Sequence, residues 1–125
     1  MRTILFTDVE ATSIAVDPHQ GKLYWSSKTM EKENIEWSNL DGSERKVLIE
    51  DPQIIAIDDM KVSMATGELC YSDSGTMKIE CIDTRSKRIR TIVEDITSAH
   101  TLISVTNNKL YFIEWDSAPP KTEDV

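Results

Sequence analysis

The chain has 125 residues, 39% of them apolar and 29% charged, with a net charge of −8, a composition that fits one soluble globular domain. The acidic balance excludes a nucleic-acid module, which needs a concentrated basic surface, and no apolar run approaches the ~20 residues that span a bilayer. Met1-Arg2-Thr3-Ile4-Leu5-Phe6 has the look of a secretion signal, but Asp8 and Glu10 interrupt it too early.

In chain order, Arg2 to Asp8 reads as a strand, and so does Ile14-Ala15-Val16-Asp17, which a Pro18-His19-Gln20-Gly21 turn closes. Leu23-Tyr24-Trp25 is aromatic and β-favouring. Lys28 to Ile35 is dense in charge and reads as an extended, solvated loop. Ile35-Glu36-Trp37-Ser38 alternates apolar with polar, Asp41-Gly42 is a hairpin turn signal, and Val47-Leu48-Ile49 makes a further strand. No segment sustains a 3.6-residue apolar period, so a solenoid of helix pairs is excluded.

The same set of elements then recurs. Gly21-Lys22-Leu23-Tyr24-Trp25 aligns with Gly67-Glu68-Leu69-Cys70-Tyr71 and with Asn108-Lys109-Leu110-Tyr111-Phe112, the leucines lying 46 and 41 residues apart. The strand ending at Asp8 recurs before Asp51 and Asp95, at intervals of 43 and 44, and Asn34-Ile35-Glu36 recurs as Lys78-Ile79-Glu80 after 44. Four short strands every ~40–45 residues is the spacing of a propeller blade. The basic stretch Arg85-Ser86-Lys87-Arg88-Ile89-Arg90 reads as a solvated turn entering an edge strand, with an anion-binding patch as the alternative. Two cysteines and two histidines do not make a zinc site. Cys70 and Cys81 are thus either a disulfide or a pair of small buried side chains.

The combined pattern from Ile14 through Leu23-Tyr24-Trp25, Ile35-Glu36 and Asn39-Leu40-Asp41-Gly42-Ser43 to Arg45-Lys46-Val47-Leu48 resembles the LDL-receptor class B (YWTD) repeat. That family forms six-bladed propellers, which implies an all-β fold, here an incomplete propeller of about two and a half four-stranded antiparallel blades. Residues 1–8 would be the outer strand of a preceding blade, 9–51 and 52–95 two blades, 96–118 the first half of another, and 119–125 a disordered tail. A cysteine in both the second and the third strand, as in Leu69-Cys70-Tyr71 and Glu80-Cys81-Ile82, is most like the nidogen-type branch. That likeness implies a Cys70–Cys81 disulfide, and cross-strand neighbours in one hairpin lie close enough for it. The family's recurrent aspartate, which ties blades together, is missing from Tyr24-Trp25-Ser26-Ser27 and lengthened in Tyr111-Phe112-Ile113-Glu114.

No nucleophile-elbow, calcium-loop or cofactor motif is present, so no catalytic, metal or cofactor site is expected. Pairs such as Glu50-Asp51 and Asp58-Asp59 read as solvated turn residues. The resemblance implies binding through one propeller face, by the residue after each Tyr-Trp-Thr-Asp stretch and residues before each first strand. These positions are Lys28, Ser74 and Trp115, with Thr12, Asp58 and His100. For nidogen-type blades the implied partner is an EGF-like module of a laminin chain, in the extracellular basement membrane, with no membrane contact by this segment. Alternatives are a lipoprotein or Wnt-pathway receptor fragment, a propeller hydrolase and an intracellular scaffold with reduced cysteines. A short stack leaves apolar sides open, so the remaining blades are expected from a larger protein, and the isolated chain is expected to oligomerise.

Overall fold

Turn chemistry sets where the strands stop. Asp17 ends the first strand by accepting the amides of His19 and Gln20 on Oδ1, at 3.0 and 3.1 Å. Gly21 follows at φ 66°, the left-handed region that glycine enters without a Cβ penalty. Asp83 repeats the device with the amides of Arg85 and Ser86, at 2.9 and 3.0 Å. Ser63 stands at the Asp17 position, and its shorter hydroxyl takes the Thr66 amide at 3.4 Å.

The computed structural model describes residues 1–29, 32–96, 101–114 and 119–125. β1 (Ala11–Asp17), β2 (Lys22–Thr29), β3 (Lys32–Asn39) and β4 (Lys46–Glu50) form one antiparallel sheet in chain order. β5 (Ile57–Val62), β6 (Leu69–Asp73), β7 (Lys78–Ile82) and β8 (Ile89–Val93) form a second of the same design. β9 (Thr101–Val105), β10 (Lys109–Glu114) and β11 (Lys121–Asp124) form a third. Register shifts at Ala11/Ser13 and Ile35/Glu36 recur at Ile57/Asp59 and Ile79/Glu80. Even the irregularities recur, which identifies the first two sheets as copies of one unit.

The sheets stack face to face, β1 against β5 and β5 against β9. Alternation along β6 divides the second sheet between two cores. Leu69 and Tyr71 pack with Ala15, Tyr24 and Ile35 of the first sheet. Cys70 and Cys81 pack with Ile103, Leu110 and Phe112 of the third. Cys70 lies directly opposite Cys81 and is disulfide-bonded to it, with Cα atoms 4.0 Å apart.

Buried polar groups tie the stack. The Asp73 carboxylate is fully buried and accepts four amides: Ile55 and Ala56 of the incoming linker at 2.9 Å each, and Gly75 and Thr76 of its own turn at 2.9 and 3.2 Å. A Cβ on Gly75 would stand 2.5 Å from the Ile55 side chain, so only glycine lets turn and linker meet. Glu33 on β3 reaches across to the second sheet, where its Oε1 accepts the Ile57 amide at 3.3 Å. Asp59 accepts the Ile103 amide of the third sheet at 2.9 Å, and the Ser72 hydroxyl donates to the Thr101 carbonyl at 2.6 Å.

Four expectations are corrected. Residues 1–8 form no strand, because an outer strand needs the third strand of its own sheet and no described segment supplies one. Phe6 packs on Trp25 instead, with ring centroids 4.9 Å apart. The expected loop from Lys28 to Ile35 is mostly strand, Lys28 standing opposite Glu33. Glu33 and Ile35 are buried, so the backbone between them needs ladder partners. The tail is not disordered: β11 pairs along β10 from Lys109↔Asp124 to Phe112↔Lys121. The open edge of β10 offers unpaired backbone groups, and Lys109 with Asp124 and Lys121 with Glu114 form ion pairs across it. Asp58 and Asp59 belong to β5 rather than a turn.

Three outcomes test these ties. Replacing both cysteines by serine frees a bridge between residues 11 apart in sequence and should lower stability by about 2–3 kcal/mol in chemical denaturation. Asp73→Ala strands four amides and should lower stability by about 3–5 kcal/mol, well beyond a surface substitution. Burial raises the Glu33 carboxyl above its ordinary 4.5, outweighing the Ile57 amide and Lys28, which lower it. The folded state therefore holds the Glu33 proton more tightly than the unfolded chain, and neutralisation stabilises as pH falls through that raised value. Glu33→Gln should be more stable than the parent at pH 7, with the gap closing below about pH 4; a gap that widened on acidification would refute this account.

Candidate binding face

Antiparallel pairing brings the beginnings of β1 and β5 to the same ends of the sheets as the termini of β2 and β6. Ala11 stands opposite Ser27, and Ile57 opposite Asp73. Four of the residues expected on a ligand face therefore lie along this edge. The Thr12 and Ser26 hydroxyls are 2.8 Å apart. The Ser74 hydroxyl donates to Asp58 Oδ1 and to the Ala56 carbonyl, each at 3.4 Å. Lys28 is exposed beside buried Glu33. Lys28, Asp58 and Asp73 all act on the charge of Glu33, so they share one electrostatic neighbourhood at the junction of the first two sheets. His100 and Trp115 lie outside the described residues.

The missing aspartate of the first sheet has a visible consequence. Ser27 occupies the Asp73 position, and its hydroxyl donates to Asn34 Oδ1 at 2.7 Å rather than holding the preceding linker. A cleft of about 410 Å³ opens there, lined by Asp8, Glu10, Ser27, Lys28, Asn34, Glu36 and Arg45. Arg45 spans it, donating from Nε to Glu36 Oε1 and from Nη1 to Asp8 Oδ1, both at 2.8 Å. The two carboxylates hold the guanidinium well above its usual range, and Arg45 in turn holds Asp8 below the ordinary carboxylate value. Its guanidinium also lies over the rings of Phe6 and Trp25, 4.9 and 5.7 Å from their centroids. In the third sheet Glu114 is buried at this position, and Lys121 reaches its Oε2 at 3.3 Å.

Sequence reading gave no role of their own to Glu33 and Arg45, and it took Asp59 for a solvated turn residue. The signal for Glu33 was weak, since a single acid in a charged stretch looks solvated. The basic stretch is a turn organised by Asp83, followed by edge strand β8, whose Arg90 makes a bidentate pair with Glu68 at 2.9 and 2.7 Å. Among the described residues, no group of three His, Cys, Asp or Glu side chains converges as metal ligands. The arrangement presents polar and charged groups along one edge of the sheets.

Comparison with known proteins gives the same architecture. No family model matches the chain. The chain is 37% identical over 85 residues to nidogen of Drosophila melanogaster, a match covering 68% of this chain and 6% of that protein. It is 28% identical over 120 residues to the vitellogenin receptor of Solenopsis invicta, covering 92% of this chain and 6% of the receptor. It thus spans only a small part of the length of these curated relatives. The fold matches a chain in the crystal structure of a nidogen/laminin complex with a TM-score of 0.86 and 25% identity, over 99% of this chain and 47% of that one. Two four-stranded meanders and a third sheet with three described strands, stacked face to face and matched in sequence and shape by these proteins, make the chain a segment of an LDL-receptor class B, nidogen-type β-propeller.

Proposed function

We propose that the chain is an extracellular protein-binding module of a basement-membrane protein, acting by docking and not by catalysis. Its partner is an EGF-like module of a laminin chain. The docking face is the edge carrying Thr12, Lys28, Asp58 and Ser74, together with His100 and Trp115, which the repeat register of the sequence assigns to equivalent positions. The observation that carries this reading is the 0.86 match over 99% of the chain to a nidogen/laminin complex. Residues on loops and strand ends held by a rigid scaffold are the usual place for recognition. Lys28 and Asp58 offer one charge of each sign beside a buried carboxylate, so the face discriminates by electrostatic match.

A receptor segment is the second reading, favoured by the similarity to a vitellogenin receptor over 92% of the chain. Titration of the chain with a recombinant laminin EGF-like fragment, followed calorimetrically, separates the two. Saturable binding is expected, weakened at least tenfold by Lys28→Ala or Asp58→Asn in variants that stay folded by circular dichroism, a loss of about 1.4 kcal/mol or more. Absence of binding to laminin fragments, with capture of a lipoprotein ligand instead, favours the receptor.

A further inference from the structure

The edge opposite the rim, where β1 turns into β2 and β7 into β8, gathers positive charge in a chain whose net charge is −8. Lys22 and Lys46 begin β2 and β4, and Arg85, Lys87 and Arg88 are exposed on the turn into β8. Among the described residues none of these five forms an ion pair, whereas Arg45, Lys61, Arg90, Lys109 and Lys121 each do. The turn that carries three of them is fixed by its backbone. The Asp83 carbonyl accepts the Lys87 amide at 2.8 Å, and the Asp83 amide donates to the Arg88 carbonyl at 2.9 Å.

These cations line one groove. Three hollows of about 370, 140 and 200 Å³ follow one another along the junction of the first two sheets. The first two share Asp83, and the second and third share Gln20, Thr84 and Arg85. Arg88 stands at one end, and Lys22 with Trp37 at the other. Lys22 Nζ lies 4.2 Å from the centroid of the Trp37 ring and Lys46 Nζ 5.9 Å. The two sheets touch along the groove: a Cβ on Gly67 would stand 3.0 Å from the Gln20 side-chain nitrogen, and Tyr24 is hydrogen-bonded to Thr84. Of the acids that line it, Glu68 is held by Arg90, and Asp83 Oδ1 is occupied by turn amides.

We propose that this groove binds a sulfated polysaccharide. A polymer that carries anions along its length meets the cations of both sheets at once, whereas a single ion meets only one cluster of them. The guanidinium groups of Arg85 and Arg88 match the paired oxygens of a sulfate group. Nucleic acid fits less well. Single strands are held by stacking bases on open aromatic faces, but Trp37 is half-buried with Lys22 over its ring. A bilayer surface does not follow a groove between two sheets. The inference rests on the extracellular reading above, since sulfated glycans are the polyanions of that compartment. The groove is built wholly from the first two sheets, at the strand ends away from Thr12, Lys28, Asp58 and Ser74, so a glycan and a protein ligand need not compete.

Calorimetric titration of the full chain with a heparin oligosaccharide tests the groove. Saturable binding is expected, weakening as salt is added. Arg85→Ala together with Arg88→Ala alters exposed side chains, so the variant should stay folded by circular dichroism while its affinity falls about tenfold or more. Lys22→Ala, on the other sheet, should act in the same direction. Arg2→Ala with Lys78→Ala removes the same charge elsewhere and should change the affinity less than about twofold. The proposal is overturned by absence of binding, by an equal loss from the two double variants, or by undiminished affinity for the desulfated oligosaccharide. Displacement by an equal concentration of inorganic sulfate, or tighter binding to RNA or to phosphatidylserine vesicles, overturns it too. The laminin titration reads the opposite edge of the sheets, so either idea can fail alone.

Discussion

A chain that leaves the outer strand of one sheet and enters the inner strand of the next must cross with amides that no ladder can satisfy. At the first such crossing, the amides of Ile55 and Ala56 end on the buried Asp73 carboxylate, which also closes its own hairpin turn through Gly75 and Thr76. Bonds to an ionised acceptor are roughly twice as strong as neutral ones, and the alternative, two buried unpaired amides, is costly. One side chain thereby fixes the linker path, the β6–β7 turn and the angle at which the second sheet meets the first. Ile57, two residues on, is anchored separately by Glu33, and the apolar core of Met60, Leu69 and Tyr71 then falls against Tyr24 and Ile35. Burial drives the stacking, and the carboxylate chooses its geometry.

Where the acid is absent, the structure solves the same problem differently. Ser27 is too short to reach a linker, and a polar cleft opens at that corner. The N-terminal segment is held instead by Arg45, which bridges Asp8 to Glu36 and lies over Phe6 and Trp25. Asp8 and its end of the bridge are well exposed, so that ion pair is weak and easily screened by salt. The first sheet is accordingly less firmly fastened on its open side than the second sheet is to either neighbour.

The parts legible in the sequence are those set by local or periodic chemistry. Leu23, Leu69 and Leu110 mark the same strand because a repeated unit must present the same residue to the same neighbour. Asp17, Gly21, Asp41 and Gly42 announce turns because their conformations are specified within a few residues. The disulfide was legible through the likeness to nidogen-type blades, which carry a cysteine in the second and the third strand of one hairpin. What could not be read depends on distant partners. Glu33 looks solvated until the Ile57 amide, 24 residues away, arrives to receive it. Asp59 looks like half of a surface pair until the third sheet brings the Ile103 amide. The residues from Lys121 to Asp124 have no strand signature, and they are a strand because β10 offers them an edge.

Stacking and recognition use different surfaces of the same sheets. Stacking uses the broad faces, where side chains alternate between one neighbour and the other, as Leu69 and Cys70 do. Recognition, on the reading proposed above, uses the rim, where strands begin and end and where Thr12, Lys28, Asp58 and Ser74 stand at the sheet edge. A change at Leu69 or Cys70 therefore acts on a core without touching the rim. The junction of first and second sheets is the place where the two uses meet, because Glu33 serves both, receiving the Ile57 amide below while Lys28 and Asp58 feel its charge above. Glu33 thus carries both a contact between the first two sheets and part of the charge beneath the rim.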